Sequence, residues 1–306
     1  MNSGIRKVGV IGIGLMGSGI AQVAAAKGFD LVVADVTTEI LAKGTERIRD
    51  SLRRLVESYQ KSSGKTGISA EEEAKTIARI KTSTDRRDLL GCDILIEAVV
   101  EDEAAKKNLI SSLAEMGYQK LLASNTSSIS ITRLAASYRL PEKFMGMHFM
   151  NPVPIQPGCE LIRGFLTSEE TFQAILEFCR ELGKEPILAE DKAGFGINRM
   201  FVPFLNEAIK VVEEGIMSCE DADKITFCLG HKMGSITTLD YVGLDTTLAI
   251  AQVLEKELGP CYKAPDLLYK LVAAGFHGIK NGRGFYLWEK GKKVGVNPAV
   301  ARYRRK

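Results

Sequence analysis

A glycine-rich turn is the clearest chemical signal in the chain. Gly12-Ile13-Gly14-Leu15-Met16-Gly17 follows a short apolar run and opens a helical pattern, and Asp35 ends the next apolar run eighteen residues after Gly17. In this order Gly12 allows a tight turn, Gly14 lets the backbone approach a pyrophosphate, and Gly17 allows close helix–strand packing. Asp35 would accept hydrogen bonds from ribose hydroxyls and repel a 2′-phosphate. The spacing predicts a dinucleotide site that prefers NAD to NADP.

His148 is the candidate general base. It ends a predicted strand, and an imidazole can take a hydroxyl proton near neutral pH. Glu160 lies twelve residues downstream, beyond a connection that contains Pro152, Pro154 and Pro157. A chain that folds back through this connection would set the carboxylate beside the ring, where it would orient the ring and stabilise its cation. The alternatives are a core histidine and an exposed charge at a strand edge.

Further polar groups follow the predicted strands. Ser124-Asn125-Thr126-Ser127-Ser128 is typical either of a loop that lines a site or of a helix N-cap cluster. Asn198 stands where the helical part begins and would reach a cleft or cap a helix. Glu101 and Lys106 would touch the nicotinamide ribose or pair on a helix surface.

The elements that must position these groups alternate between strand and helix as far as about Glu190. This pattern predicts an α/β domain with a doubly wound, Rossmann-type parallel sheet over residues 1–190. One of its helices is expected from Thr167 to Leu182, opened by a Thr167–Glu170 capping box. After Glu190 helical patterns dominate, so we expect an all-α C-terminal domain over residues 191–306.

Composition excludes several classes of protein. The 306 residues carry 41 Lys and Arg against 38 Asp and Glu, a net charge of +3 that is too balanced for a dedicated nucleic-acid binder. The six cysteines form no Cys-x-x-Cys, so neither a disulfide framework nor a metal site is expected. The apolar stretch 8–26 is broken by five glycines and is not expected to span a membrane. We expect a protein of the cytoplasm or an organelle matrix.

Nearly the whole chain resembles the 3-hydroxyacyl-CoA dehydrogenase family, including its short-chain 3-hydroxybutyryl-CoA members. The resemblance is carried by six motifs in order: Gly12-Ile13-Gly14-Leu15-Met16-Gly17, Glu97-Ala98-Val99-Val100-Glu101, Ser124-Asn125-Thr126-Ser127-Ser128, His148-Phe149-Met150-Asn151-Pro152-Val153-Pro154, Asn198-Arg199 and Leu239-Asp240-Tyr241-Val242-Gly243-Leu244-Asp245.

The resemblance implies NAD-dependent oxidation of (3S)-3-hydroxyacyl-CoA to 3-oxoacyl-CoA, or the reverse, by a homodimer that associates through its helical domain. It implies a catalytic pair, His148 and Glu160, with Ser127 and Asn198 on the substrate and Ser51 on coenzyme A. The implied cofactor contacts are Gly12, Gly14, Leu15, Met16, Gly17, Asp35, Glu101, Lys106, Asn151 and Lys280.

The chain departs from the family pattern at four places. Ile155-Gln156-Pro157-Gly158-Cys159 replaces the usual approach to Glu160, and Gly196 stands where the family tends to have a β-branched residue. Ser235 stands where the family tends to have a proline, and Ser58 stands where a lysine is thought to bind coenzyme A phosphates. Lys61 or Lys65 would substitute for that lysine. We therefore expect an acyl preference that differs from that of a strict four-carbon enzyme.

Two rival functions remain open at this stage. One is a β-hydroxyacid dehydrogenase that uses a lysine base near an asparagine, but Lys192 and Asn198 are six residues apart, whereas one helical face favours three or four. The other is a non-catalytic NADH-binding sensor or structural protein that uses the same fold.

Overall fold

An eight-stranded sheet forms the centre of the N-terminal part of the chain. The computed structural model describes residues 3–301 and 303, which divide between Lys192 and Ala193 into two units. The strands of the first unit are β1 (Lys7–Ile11), β2 (Asp30–Ala34), β3 (Ile80–Ser83), β4 (Ile94–Glu97), β5 (Leu121–Ser124), β6 (Phe144–Phe149), β7 (Gly158–Arg163) and β8 (Glu185–Glu190). Their order is β3-β2-β1-β4-β5-β6-β7-β8. The first six follow the order of a doubly wound fold, whose ligands bind at the carboxyl ends of the strands.

Helices cover this sheet because its central strands are apolar throughout. Val8, Val10, Val33, Ile94 and Ile96 are almost completely buried, as expected of parallel strands that are packed on both faces. The helices of the first unit are α1 (Leu15–Ala26), α2 (Thr38–Lys61), α3 (Ala70–Ala78), α4 (Glu103–Glu115), α5 (Ile131–Ala135) and α6 (Glu169–Glu181).

The sheet is parallel, as predicted, at every pair of neighbouring strands except one. β7 runs antiparallel to β6, with His148 opposite Glu160. Only residues 150–157 separate the two strands. A parallel crossover needs about a dozen residues or more, so this connection can only turn back. Strands β3 and β8, at the two edges of the sheet, were not anticipated because their short and partly exposed sequences lack a long apolar run.

The predicted capping box at Thr167 was wrong. Helix α6 is capped by Ser168, whose hydroxyl accepts from the Thr171 amide at 3.1 Å. Thr167 instead donates to the Phe144 carbonyl and accepts from the Gly164 amide. A tertiary contact that local sequence does not reveal therefore moves the start of the helix by one residue.

The second unit is helical, as predicted, and also contains a hairpin that was not anticipated. Its helices are α7 (Ile197–Glu213), α8 (Cys219–Cys228), α9 (Ser235–Val242), α10 (Leu244–Leu258), α11 (Asp266–Ala273) and α12 (Pro298–Ala301). Strands β9 (Tyr286–Glu289) and β10 (Lys292–Val296) pair antiparallel. No helix within the described residues is both long enough and apolar enough to cross a bilayer.

Asp240, at the end of α9, fixes this hairpin. Its buried carboxylate accepts from the amides of Phe285 and Tyr286 at 2.8 and 2.9 Å and from the indole N–H of Trp288 at 2.8 Å. Burial raises the pKa of Asp240 to about 6, although these hydrogen bonds oppose the rise. The carboxylate therefore joins two segments that are more than forty residues apart in sequence.

We expect Asp240→Ala to lower the free energy of unfolding of the second unit by about 3 kcal/mol or more, because it leaves two buried main-chain donors unsatisfied. Trp288 is the only tryptophan of the chain, so its fluorescence during urea unfolding reports on this unit. Asp266→Ala, at an exposed position in the first turn of α11, is the matched control. An unchanged urea midpoint in Asp240→Ala would contradict the anchoring role.

Candidate active site

His148 and Glu160 form a hydrogen-bonded pair on neighbouring strands. The Nδ1 atom of His148 lies 2.7 Å from Oε2 of Glu160, whose side chain is fully buried, whereas 13% of the His148 side chain is exposed. The antiparallel register of β6 and β7 sets the two residues opposite each other. A carboxylate at Nδ1 fixes the tautomer in which Nδ1 carries the proton, so Nε2 is the atom suited to exchange a proton with a ligand.

Asn125 braces the end of the strand that carries His148. Its side-chain oxygen accepts a hydrogen bond from the backbone N–H of Phe149 at 2.9 Å. The backbone N–H of Asn125 donates to the Glu97 carbonyl. This asparagine thereby joins the carboxyl ends of β4, β5 and β6. In the sequence Asn125 is one of five consecutive polar residues, and their pattern does not distinguish it from its neighbours.

The glycine turn has the shape of a phosphate cradle. Gly12 has a φ of +92°, and a Cβ there would lie 2.6 Å from the Ala98 carbonyl oxygen. A Cβ at Gly17 would overlap the Gly12 carbonyl, whereas a Cβ at Gly14 would meet nothing within 4 Å. Gly14 is also the N-cap of α1 and provides no side-chain cap. The turn thus leaves open space and main-chain donors where a pyrophosphate would bind.

Three of the other predicted dinucleotide contacts lie in or beside this turn. Leu15, in the first turn of α1, is 60% exposed, and Met16 packs against the core. Asp35 directly follows β2, and its two carboxylate oxygens accept from the backbone amides of Ile13 and Val36, each at 2.7 Å. Asp35 therefore also holds the glycine turn in place, a contact that the sequence pattern did not indicate.

Lys106 forms a buried ion pair with Glu97 at the end of β4. The two side chains are 1% and 0% exposed, and Nζ of Lys106 lies 2.6 Å from Oε1 of Glu97. Glu97 also accepts from the Ser124 hydroxyl at 2.5 Å and the Val99 amide at 2.8 Å. Neither reading of Lys106, as a ribose contact or as a surface pair, anticipated this burial. The position of Glu97 at the end of an apolar strand was the available signal.

Glu101 accepts several hydrogen bonds from the polar loop that follows β5. Its Oε1 atom accepts from the Thr126 hydroxyl at 2.6 Å and the Ser127 amide at 2.8 Å, and the Ser127 hydroxyl and both donors of Ser128 lie at 3.1 Å. Lys106 lies 3.4 Å from the other oxygen. Burial acts to raise the pKa of Glu101, but the Lys106 charge and the hydrogen bonds from Thr126 and Ser127 outweigh burial and lower it.

This lowered pKa predicts a pH-dependent loop. A carboxylate with a depressed pKa contributes stability above its unfolded pKa, 4.5 for a glutamate, and this contribution is lost as the pH falls further. Amide exchange of residues 126–128, corrected for intrinsic rates, should therefore increase below pH 4.5. Glu101→Gln should remove this pH dependence while the exchange of β1 stays unchanged. Equal pH profiles in both proteins would argue against Glu101 as the group that orders the loop.

The remaining predicted site residues are spread over both units. Asn151 is exposed just beyond β6, and Ser51 is partly buried on α2. In the second unit Asn198 is buried in the first turn of α7, and Lys280 forms an ion pair with Asp245. Within the described residues no group of three or more His, Cys, Asp or Glu side chains is arranged to hold a metal ion.

Comparisons with known proteins show which family the chain resembles. Residues 7–192 match the family model of the 3-hydroxyacyl-CoA dehydrogenase NAD binding domain, and residues 194–288 match that of the C-terminal domain. A 3-hydroxybutyryl-CoA dehydrogenase of Bradyrhizobium diazoefficiens is 44% identical over 95% of this chain and 98% of its own length. The human mitochondrial hydroxyacyl-coenzyme A dehydrogenase is 40% identical over 93% of this chain and 92% of its own length.

A solved structure extends the similarity to three dimensions. The crystal structure of an (S)-3-hydroxybutyryl-CoA dehydrogenase from Ralstonia eutropha superposes with a TM-score of 0.86 at 40% identity, and it covers 94% of this chain and all of that one. Both family models and both relatives are hydroxyacyl-CoA dehydrogenases or domains of them. The chain belongs to the 3-hydroxyacyl-CoA dehydrogenase family.

Proposed function

We propose that this protein interconverts (3S)-3-hydroxyacyl-CoA and 3-oxoacyl-CoA with NAD as the redox partner. The observation that carries the proposal is the hydrogen-bonded pair of His148 and Glu160, on the sheet whose glycine turn forms a phosphate cradle. Both β1, which leads into the turn, and β6, which carries His148, end at the same edge of the sheet.

In this proposal each residue has a defined chemical task. Nε2 of His148 removes the proton of the C3 hydroxyl in oxidation and returns it in reduction. Glu160 orients the ring and stabilises its cation. Ser127 and Asn198 hydrogen-bond the C3 oxygen, whose charge changes during the reaction, an effect typically of about 3 kcal/mol per donor. The bound nicotinamide would accept or donate the hydride at C3.

The dinucleotide fits the residues present. The space at Gly14 and the uncapped start of α1 suit a pyrophosphate, and Asp35, at the end of β2, suits the adenosine ribose. Glu101, Lys106, Asn151 and Lys280 are proposed to contact the nicotinamide half. In their proposed roles Glu101 and Lys106 keep their mutual contact, and Lys280 exchanges its bond to Asp245 for the cofactor.

We expect NADH to support at least about 100-fold higher kcat/KM than NADPH, because the Asp35 carboxylate repels a 2′-phosphate. In Asp35→Asn, which keeps an oxygen for the Ile13 amide, this ratio should fall at least tenfold. Glu39→Gln, at an exposed position in the first turn of α2, is the control for a general change in charge. An NADPH preference in the unaltered protein would contradict the assignment of Asp35.

The test of the overall activity is oxidation of NADH in the presence of acetoacetyl-CoA, followed by the loss of NADH absorbance. A redox sensor or structural protein would bind NADH without an acyl-CoA-dependent change in absorbance. A β-hydroxyacid dehydrogenase would oxidise a free hydroxy acid and ignore the thioester. Either result would overturn the proposal.

We propose short-chain acyl groups as the preferred substrates, since relatives named for 3-hydroxybutyryl-CoA are 44% identical. Gly196, directly before the helix α7 and two residues before Asn198, lacks a side chain that would narrow the acyl site. A kinetic series of 3-oxoacyl-CoA thioesters should therefore show a broad optimum that extends beyond four carbons. A sharp optimum at four carbons would contradict this part of the proposal.

The expected partner besides acyl-CoA is a second copy of the chain. Exposed apolar side chains of the second unit support association there, among them Met200, Ile225, Phe227 and Leu229. Light scattering coupled to gel filtration should give a mass of two chains. We also propose that the enzyme acts in the cytoplasm or an organelle matrix.

A further inference from the structure

Lys184 is a buried lysine that binds the loop beyond His148. It follows α6 and is 8% exposed, and its Nζ atom donates to the carbonyl oxygens of Val153 at 2.5 Å and Gln156 at 2.6 Å. Both carbonyls belong to the connection of residues 150–157 between β6 and β7. Lys184 therefore links the turn between α6 and β8 to the segment that returns the chain from His148 to Glu160.

The composition of this loop explains why it needs an outside donor. Pro152, Pro154 and Pro157 have no amide hydrogen, and the amides of Ile155 and Gln156 both donate to the Pro152 carbonyl. Lys184 supplies hydrogen bonds to two of the other carbonyls. Burial lowers the pKa of Lys184, which shows that the charged form is partly desolvated in this position. Burying an ammonium is costly unless it is hydrogen-bonded, and the two bonds to the loop carbonyls offset that cost only while the loop keeps its position.

The opposite face of the loop is packed against the dinucleotide helix. Val153 is 2% exposed, and a Cβ on Gly19 of α1 would lie 2.8 Å from the Cβ of Val153 and 3.3 Å from Cδ of Pro154. Because position 19 has no side chain, the backbone of α1 can lie directly against Val153 and Pro154 of the loop. The loop is held on one side by Gly19 and on another by Lys184.

We propose that Lys184 is a positioning residue that fixes the loop carrying Asn151 relative to His148 and to the start of α1. The inference rests on the proposed function, because it assumes that Asn151 and His148 face one bound cofactor. Asn151 lies in the connection, two residues before Val153, so a displaced loop carries Asn151 with it, whereas His148 stays in the β6–β7 ladder. A displacement of about 1 Å is enough to reduce turnover by roughly 100-fold in a positioned site.

The first test is Lys184→Met, which keeps an unbranched side chain of nearly the same length but removes its charge and its donors. Lys27→Met is the matched control. Lys27 is exposed, and its Cε atom lies beside Gly183, the residue directly before Lys184. In the ligand-free protein, amide exchange of a peptide covering residues 151–158 should rise at least tenfold in Lys184→Met and remain unchanged in Lys27→Met.

The second test is kinetic. In Lys184→Met, kcat for acetoacetyl-CoA reduction should fall by about 10- to 100-fold, while KM for NADH changes less than about threefold, because the phosphate cradle is intact. Gly19→Ala, which changes the contact between α1 and the loop, should also lower kcat and leave the KM for NADH nearly unchanged. Since alanine favours a helix more than glycine does, a loss of helix stability would not account for the lower kcat.

The outcomes separate the two proposals. Unchanged exchange of the loop in Lys184→Met would overturn the inference whatever the activity, and so would a raised exchange with kcat within twofold of the Lys27→Met value. If the unaltered protein shows no acetoacetyl-CoA-dependent oxidation of NADH, the proposed function fails, and the catalytic part of this inference fails with it. The exchange experiment then still decides whether Lys184 anchors the loop.

Discussion

A His148→Gln variant is expected to bind NADH with nearly unchanged affinity and to reduce acetoacetyl-CoA roughly 100- to 10,000-fold more slowly than the unaltered protein. Glutamine fills a similar space and can hydrogen-bond, but it cannot take up and release a proton near neutral pH. The phosphate cradle at Gly12–Gly17 and the Asp35 carboxylate lie on other strands, so the dinucleotide site keeps its shape.

Two measurements decide this prediction. NADH fluorescence titration gives the Kd, and the loss of NADH absorbance gives kcat. His231→Gln is the matched control, since His231 is exposed in the second unit and stacks its ring on Phe204. Turnover of His148→Gln within a few-fold of the control would show that another group moves the proton. A loss of NADH binding equal to the loss of turnover would show a cofactor contact instead of a base.

The contact of His148 with Glu160 could be predicted because its determinants are local. The prolines between the two residues favour a return of the chain, and the short connection leaves antiparallel pairing as the only geometry. In such a ladder, the residue opposite His148 depends only on the length of the turn. The catalytic role of the pair stays a prediction until the variants are measured.

The buried charges could not be predicted in this way. A lysine on an amphipathic helix, such as Lys106, or in a turn, such as Lys184, is normally a surface residue, and no local pattern marks either one as buried. The partner of Lys106, Glu97, is nine residues away across a strand end, and the carbonyls that Lys184 binds are about thirty residues away. Such pairs depend on the packing of the sheet, which exists only after the whole unit has folded.

The hairpin of β9 and β10 escaped prediction for a related reason. β9 is only four residues long, and its position depends on Asp240, more than forty residues earlier in the chain. The sequence pattern around Tyr286 and Trp288 is too short to distinguish a strand from a turn. The helical class of the second unit was predictable because its helices are long enough to show periodicity.

Glu160→Gln should reduce kcat by about 100-fold or more and leave the Kd for NADH within about threefold of its original value. The amide is isosteric with the carboxylate, so the β6–β7 ladder can be retained. It carries no charge to stabilise the imidazolium, and its NH₂ group can turn toward Nδ1 and favour the unproductive tautomer. Because Glu160 is fully buried, circular dichroism and thermal unfolding must accompany the kinetics.

The double variant His148→Gln/Glu160→Gln provides the sharper test. If Glu160 acts only by orienting and charging His148, it has nothing left to act on in the His148→Gln background, and the double variant should be no slower than His148→Gln alone. Rate losses that multiply would mean that Glu160 contributes to the reaction independently of the imidazole. Restoration of activity by Glu160→Asp, which keeps the charge on a shorter side chain, should be partial, because the 2.7 Å contact with Nδ1 would lengthen. A Glu160→Asp variant as slow as Glu160→Gln would indicate that the geometry of this contact, more than its charge, determines the rate.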